Sequence, residues 1–332
     1  MKLNAIPWRQ LLAGIALAAT FYAALIAFAD GRAVMAACRA LGGSTWLAVL
    51  GLSGLNYLLR YARWDYYLRQ LGYRVPRSAQ LTIYIAGFAF TTTPAKAGEA
   101  TRSLYLHHYG VTYTHSLAAL LVERCVDVLA MLLLAALALA AVSDLRGLFV
   151  IVLLLVVVLL QVVHSSWLSR QLARLAAGGN RPLVARGSAG LLQILHTARP
   201  LLQSGPLYGG VLAGLLAWGG EGLALYLILE QLGASLSPWL ATGVYGMSVL
   251  AGAATLVPGG LGGTELAMQY LLEASGVLSE PAISAVIICR VATLWFAVGL
   301  GLLAVLALAG EARRNPNGSR APGVRLGEVK DG

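Results

Sequence analysis

Charge is what this sequence has least of. Lys, Arg, Asp and Glu make up 11% of its 332 residues, where a soluble domain carries about 25%. That is too little to cover an ordinary water-facing surface, so a soluble globular enzyme is excluded. Cysteine is scarce as well. Cys38, Cys125 and Cys289 show no metal spacing, and at least the last two fall in apolar stretches where a thiol is a packing group. Histidine offers no more. His107-His108 has no third ligand at a suitable distance in sequence and reads as a solvated interfacial pair, as do His164 and His196. No metal and no cofactor is expected. A G-x-x-x-x-G-K-[ST] loop is also missing, so ATP would have to act elsewhere.

What the chain has in abundance is apolar length. It is 58% hydrophobic with a mean hydropathy of +0.74. Runs such as Gly147–Val163 and Ala282–Ala309 indicate an all-α polytopic membrane protein. The net charge of +10 would fit a nucleic-acid partner, but the charges sit in short loops, where the positive-inside rule puts them. No nucleic acid is expected. Trp46, Trp64, Tyr66, Tyr67 and Trp239 read as interfacial anchors.

Taken in order, span one is about Leu11–Ala29. It resembles a signal peptide in its flanks but is too long for an h-region, and is read as a retained span. The loop Asp30–Ser44, span two at about Thr45–Arg60 and a basic loop with Arg63, Arg69, Arg74 and Arg77 follow. Span three is about His115–Val142 and span four Gly147–Val163. A polar connection, Ser165–Ser204, holds Trp167, Leu168, Leu172 and Leu175 at the spacing of an interfacial helix. Span five is about Leu207–Leu229 and span six about Ala282–Ala309. Residues 1–310 form one integral-membrane domain, and 311–332 read as a disordered cytoplasmic tail.

Two apolar segments are broken. One runs from about Ser78 to Tyr109 and is interrupted at Pro94–Gly98. The other runs from about Pro238 to Ser275 and is interrupted at Pro258-Gly259-Gly260-Leu261-Gly262-Gly263. Irregular backbone at membrane depth must face protein or a cavity. Read as re-entrant hairpins, the two breaks leave six full spans. The loops on one side then hold Lys2, Arg9, Arg60, Arg63, Arg69, Arg74, Arg77, Arg170, Arg174, Arg181, Arg186, Arg199 and the basic tail. The other side holds only Arg32, Arg39 and Arg146. Both termini are thus expected in the cytoplasm. Three crossings per half make an inverted-topology repeat, about 10–142 and about 147–309. Asn56 and Glu221, Pro94 and Pro258, Glu99 and Glu265, and Arg124 and Arg290 recur at an offset of about 165 residues.

Charged groups at this depth cost at least about 2.5–3.5 kcal/mol each and face a partner or a cavity. Arg124 and Arg290 approach the midplane from opposite faces, and their planar forks suit carboxylate or phosphate. The substrate-binding candidates are Lys96, Glu99, Arg102, Arg124, Gly259, Gly260, Gly262, Glu265 and Arg290. The glycines would admit close backbone approach, and half-helices starting after Pro94 and Gly262 would aim free amides at an anion. Glu123, Asp127 and Glu221 are candidates for a proton or cation relay. The plainer alternative is that all these charges pair with one another and lock the hairpins.

The motif Pro94-x-Lys96-x-Gly98-Glu99-x-x-Arg102, the stretch Ser116–Asp127 with Glu123-Arg124-x-x-Asp127, and Pro258-Gly259-Gly260-Leu261-Gly262-x-x-Glu265 together resemble the lysylphosphatidylglycerol synthase transmembrane region, also called the flippase-like domain family. The resemblance covers roughly Leu11 to Ala309. The family usually carries Arg where this chain has Lys96, which keeps the charge but loses the fork. The resemblance implies lipid translocation, since bifunctional members flip aminoacylated phosphatidylglycerol. Those members carry a soluble aminoacyl-transfer domain after the membrane part. Only a short tail follows Ala309 here, so transfer from tRNA is not expected. The expectation is therefore a flippase or transporter moving an anionic lipid or lipid-linked headgroup across a bacterial inner membrane, with envelope-lipid biosynthesis proteins as partners. Two rivals remain: an intramembrane transferase acting on a lipid carrier, and a non-transporting accessory subunit.

Overall fold

The computed structural model describes residues 8–28, 31–92, 99–139, 147, 150, 154, 166–177 and 182–314, and among them all regular structure is helical. The helices are α1 (Trp8–Phe28), α2 (Gly31–Ala40), α3 (Gly42–Gln70), α4 (Arg77–Ala86), α5 (Arg102–His107) and α6 (Tyr113–Leu139). They continue with α7 (Ser166–Ala177), α8 (Pro182–Ala198), α9 (Ser204–Gln231), α10 (Pro238–Ala254), α11 (Gly263–Ala274), α12 (Ser279–Arg290) and α13 (Phe296–Arg314).

Among the described residues, two helical stretches are long and apolar enough to cross a membrane: Ser204–Gln231 and Ser279–Glu311. A third is added if α2 and α3, bent by 90°, count as one broken span. The 27-residue α6 has the length to span, about 40 Å at 1.5 Å per residue, but it carries Glu123, Arg124 and Asp127.

The centre is α9, which packs on α3, α6 and α10. Its sequence explains the fit. Gly210 lies under the Tyr67 hydroxyl of α3, and Gly214 faces Ala130 of α6 and the Arg63 guanidinium of α3. Small residues four apart let helices approach closely, which is how packing holds membrane helices together. Two apolar clusters flank this centre. One gathers Trp64, Tyr67, Tyr84, Phe88 and Leu106, and the other Leu225, Ile228, Met268, Leu272 and Ile288.

Irregular backbone sits where it meets polar partners. Between α10 and α11 the chain turns through Leu256, Gly259, Gly260 and Gly262, all at positive φ. Leu256 pays a steric penalty there that glycine avoids. Past Arg290, residues Val291–Trp295 form a π-helical turn. Such a turn displaces carbonyls from the regular ladder, and the Thr293 carbonyl accepts a hydrogen bond from the Tyr57 hydroxyl at 2.6 Å.

Three sequence expectations change. The segment expected as a loop at Asp30–Ser44 contains the helix α2, whose Val34 and Ala37 are buried. Span two does not end at Arg60. The helix α3 runs to Gln70, so Arg60 and Arg63 are buried inside it rather than in a basic loop. Their charge is tolerated there because Glu123 and Asp127 lie within 4 Å of both, and the Phe88 and Trp218 rings lie against Arg60. The tail does not begin at Glu311, since α13 continues to Arg314. Apart from Gly147, Val150 and Leu154, the apolar stretch Gly147–Val163 lies outside the described residues, as do the turn at Pro94–Gly98 and residues 315–332.

Candidate functional site

Two buried ion networks face each other across the centre of the fold. The first is built on α6. Glu123 and Asp127 are one turn apart on a shared face and meet Arg60 and Arg63, which are likewise neighbours on α3. Arg63 Nη2 lies 2.5 Å from Asp127 Oδ1 and 3.7 Å from Glu123 Oε1. Arg60 Nη2 stands 3.5 Å from both carboxylates. Two neutral donors complete the set: Tyr84 to Glu123 at 2.6 Å and Trp218 Nε1 to Asp127 at 3.1 Å. After the first break, Glu99 and Arg102 join. Arg102 bridges Glu99 and Glu123, each at 3.2 Å, with its guanidinium 4.0 Å from the centre of the Tyr84 ring. The half-buried Arg124 lies 3.5 Å from Glu99, 3.3 Å from Glu123 and 3.2 Å from Asp127.

The second network is smaller. Arg290 Nε donates to Glu265 at 2.7 Å and to the Tyr22 hydroxyl at 3.0 Å, and Tyr22 in turn donates to Glu265. Arg290 Nη2 donates to the Gly259 carbonyl at 2.7 Å. The glycine turn is therefore committed to a cation. Its Gly260 and Leu261 amides are used in closing turns onto the Val257 and Pro258 carbonyls.

Between the networks lies a polar cavity with about 510 Å³ of empty space, its open mouth included. Arg60 and Glu99 reach it from one side and Arg290 from the other. Asn56, Tyr57, Thr91, Trp218, Glu221 and Tyr245 line the rest, with Val249, Leu294 and Ala297 among the apolar walls. Three features mark it out. Asn56 is 1% exposed, yet neither its amide nitrogen nor its oxygen has a hydrogen-bond partner among the described residues. Arg60 Nε and Nη2 donate no hydrogen bond among the described residues either, although the head stacks near Trp218 and Phe88. Glu221 receives one hydrogen bond, from Ser53 at 3.0 Å, and no cation lies within ion-pair distance of it among the described residues. Buried polar groups are nearly always satisfied, by protein, ordered water or a ligand, so these atoms mark where the cavity has hydrogen bonds left to make.

The formal charges balance. Among the described residues the two networks and the cavity hold five arginines (Arg60, Arg63, Arg102, Arg124, Arg290) and five carboxylates (Glu99, Glu123, Asp127, Glu221, Glu265). Nine of the ten side chains are buried, and only Arg124 reaches intermediate exposure.

Of the residues singled out in the sequence, Glu99, Glu221 and Arg290 line the cavity. Arg102, Glu123, Arg124 and Asp127 stand behind it in the first network, and Glu265, Gly259, Gly260 and Gly262 behind Arg290 in the second. Lys96 lies outside the described residues. Arg60, Ser53, Tyr57 and Tyr245 were not foreseen. Arg60 was placed at a helix end, and only its four-residue spacing from Asn56 would have put both on one face.

A family model described as Lysylphosphatidylglycerol synthase TM region matches residues 11–301, a stretch that takes in both networks and the whole cavity. The chain belongs to that family. No curated protein matches it. As a member of the lysylphosphatidylglycerol synthase TM region family it is a membrane protein with a lipid-related function.

Proposed function

We propose that the protein translocates an anionic lipid or lipid-linked headgroup across a bacterial inner membrane, with the cavity between the two ion networks holding the headgroup. The observation that carries this reading is the set of unsatisfied donors on Asn56 and Arg60 opposite Arg290. A forked cation and an amide suit a phosphodiester. Lipid tails stay in the bilayer while the headgroup occupies a low-dielectric site, where an anion is attracted more strongly than at a wet surface.

The same reading carries the inverted repeat, with six full spans, two re-entrant hairpins and both termini cytoplasmic. Two features support it. Glu99–Arg124 and Glu265–Arg290 are both carboxylate–arginine pairs 25 residues apart. The repeat-related positions Asn56 and Glu221 line one cavity. In a repeat of this kind the substrate sits at the repeat interface and access alternates as one half rocks against the other. Catalysis on a lipid carrier is less well supported, because among the described residues no group of three His, Cys, Asp or Glu is arranged to hold a metal, and the hydroxyl bonded to Glu221, that of Ser53, is fully buried and does not line the cavity.

Purified protein in liposomes containing a fluorescent anionic phospholipid tests the proposal. Loss of inner-leaflet protection against a membrane-impermeant quencher is expected with wild-type protein and not with Arg60→Gln. Equal rates in protein-free liposomes would refute it.

A further inference from the structure

Glu221 is the one cavity carboxylate that the arginines leave alone. Among the described residues its one hydrogen bond comes from Ser53. The groups facing it are Ser53, Asn56, Tyr57 and Arg60 from α3, Tyr245 from α10, and Cys289 with Arg290 from α12. Asp127 on α6 is turned away and held by Arg63 and Trp218. The other carboxylates each have at least one arginine within 4 Å.

This matters for charge. With Glu221 ionised, five arginines and five carboxylates cancel among the described residues. An anionic headgroup entering between Arg60 and Arg290 adds a negative charge to a site lined by buried side chains, and of the two carboxylates facing that space, Glu99 and Glu221, Glu221 is the one with no arginine within 4 Å among the described residues. The other four are tied to arginines and cannot be neutralised without leaving a buried cation unpaired. Accepting a proton on Glu221 restores the balance and costs only a rearranged contact with a serine hydroxyl.

We propose that Glu221 is a proton-binding site coupled to the headgroup, so that each monoanionic headgroup binds together with one proton. The step is Glu221-COO⁻ + H⁺ → Glu221-COOH on headgroup binding and the reverse on release, so a proton gradient can drive movement of the lipid. The inference rests on the translocation reading for the identity of the anion. By linkage the proton strengthens anion binding as much as the anion strengthens proton binding. Above the range where Glu221 protonates unaided, affinity should weaken about tenfold per pH unit.

The test is calorimetric binding of dihexanoyl phosphatidylglycerol to the full-length protein in nanodiscs, repeated in buffers of different ionisation enthalpy. The dependence on buffer enthalpy counts the protons taken up. In buffers above the range where Glu221 protonates unaided, close to one proton per ligand is expected for wild type, with affinity falling as pH rises. Glu221→Gln should bind the probe with an affinity independent of pH and take up no proton. Binding without proton uptake by the wild type, or uptake persisting in Glu221→Gln, would overturn the proton claim and leave the headgroup site standing. The wild-type proton count decides the matter even where the variant folds poorly. Absence of binding at every pH would overturn both. Dimethyl phosphate, which has no tails, separates the sources of the anion: if it binds as tightly as the lipid, the occupant is a soluble phosphodiester and the lipid reading fails.

Discussion

Arg290 and Glu265 meet at 2.7 Å in a place where both are almost fully buried. The pair ties α12 to the first turn of α11, and through the Gly259 carbonyl it also fixes the break before that turn. Removing one partner of a buried pair leaves an uncompensated charge and costs about 3–5 kcal/mol. Arg290→Ala should therefore lower the folded yield and the melting temperature in detergent. Combining it with Glu265→Ala should recover part of the loss, with a coupling of about 0.5–3 kcal/mol. Thermal unfolding of the two single variants and the double variant measures this, and simple additivity would contradict it.

Asn56 offers the opposite pattern. Its amide is buried without a hydrogen-bond partner among the described residues, a situation that costs about 1–3 kcal/mol. Leucine at this position removes the unsatisfied groups at similar size. Asn56→Leu is expected to melt no lower than wild type, and to translocate lipid at least about tenfold more slowly if the amide holds the headgroup. Melting curves and liposome transport on the same preparation check both halves of the statement.

The two arginines nearest the centre should separate by role. Each has two nitrogens without a hydrogen-bond partner among the described residues, but Arg60 lines the cavity, whereas Arg124 lies behind it among three carboxylates. Lysine preserves charge and loses the fork. Arg60→Lys is expected to slow translocation about tenfold, the worth of one charge-assisted hydrogen bond, with Arg124→Lys slowing it less. Transport rates at matched protein levels in liposomes test the order, and a reversed order would return the site to Arg124.

Packing gives a fourth expectation. A Cβ on Gly301 of α13 would overlap the backbone of Phe88 and Ala89 in the turn after α4. Overpacking against backbone cannot be relieved by a rotamer change and costs about 1–3 kcal/mol. Gly301→Ala should lower the melting temperature, while the same change at Gly299, which faces open space, should not.

The helical, apolar character of the chain and the second break were legible because both leave local signals: long hydrophobic runs, and proline and glycines inside one of them. Glu99, Glu221 and Arg290 could be singled out because a charge inside an apolar run needs a reason. Arg60 and Arg63 could not. They sit near the end of the apolar part of α3, where a sequence reading places a loop, and only Asp127 and Glu123 from a helix about 60 residues away show that they are buried. The partner of the Gly259 carbonyl was hidden for a similar reason. Local sequence gives the turn, but the direction its carbonyl faces depends on where Arg290 arrives.

The most direct measurement of the central claim is photo-crosslinking. An anionic phospholipid bearing a diazirine on its headgroup, incorporated into liposomes with the protein and irradiated, should attach to peptides carrying Asn56, Val249 or Ala297, the cavity wall, and excess unlabelled anionic lipid should suppress that attachment. Labelling confined to outward residues such as Leu212, Leu216 and Leu303 would contradict a headgroup site between the two ion networks.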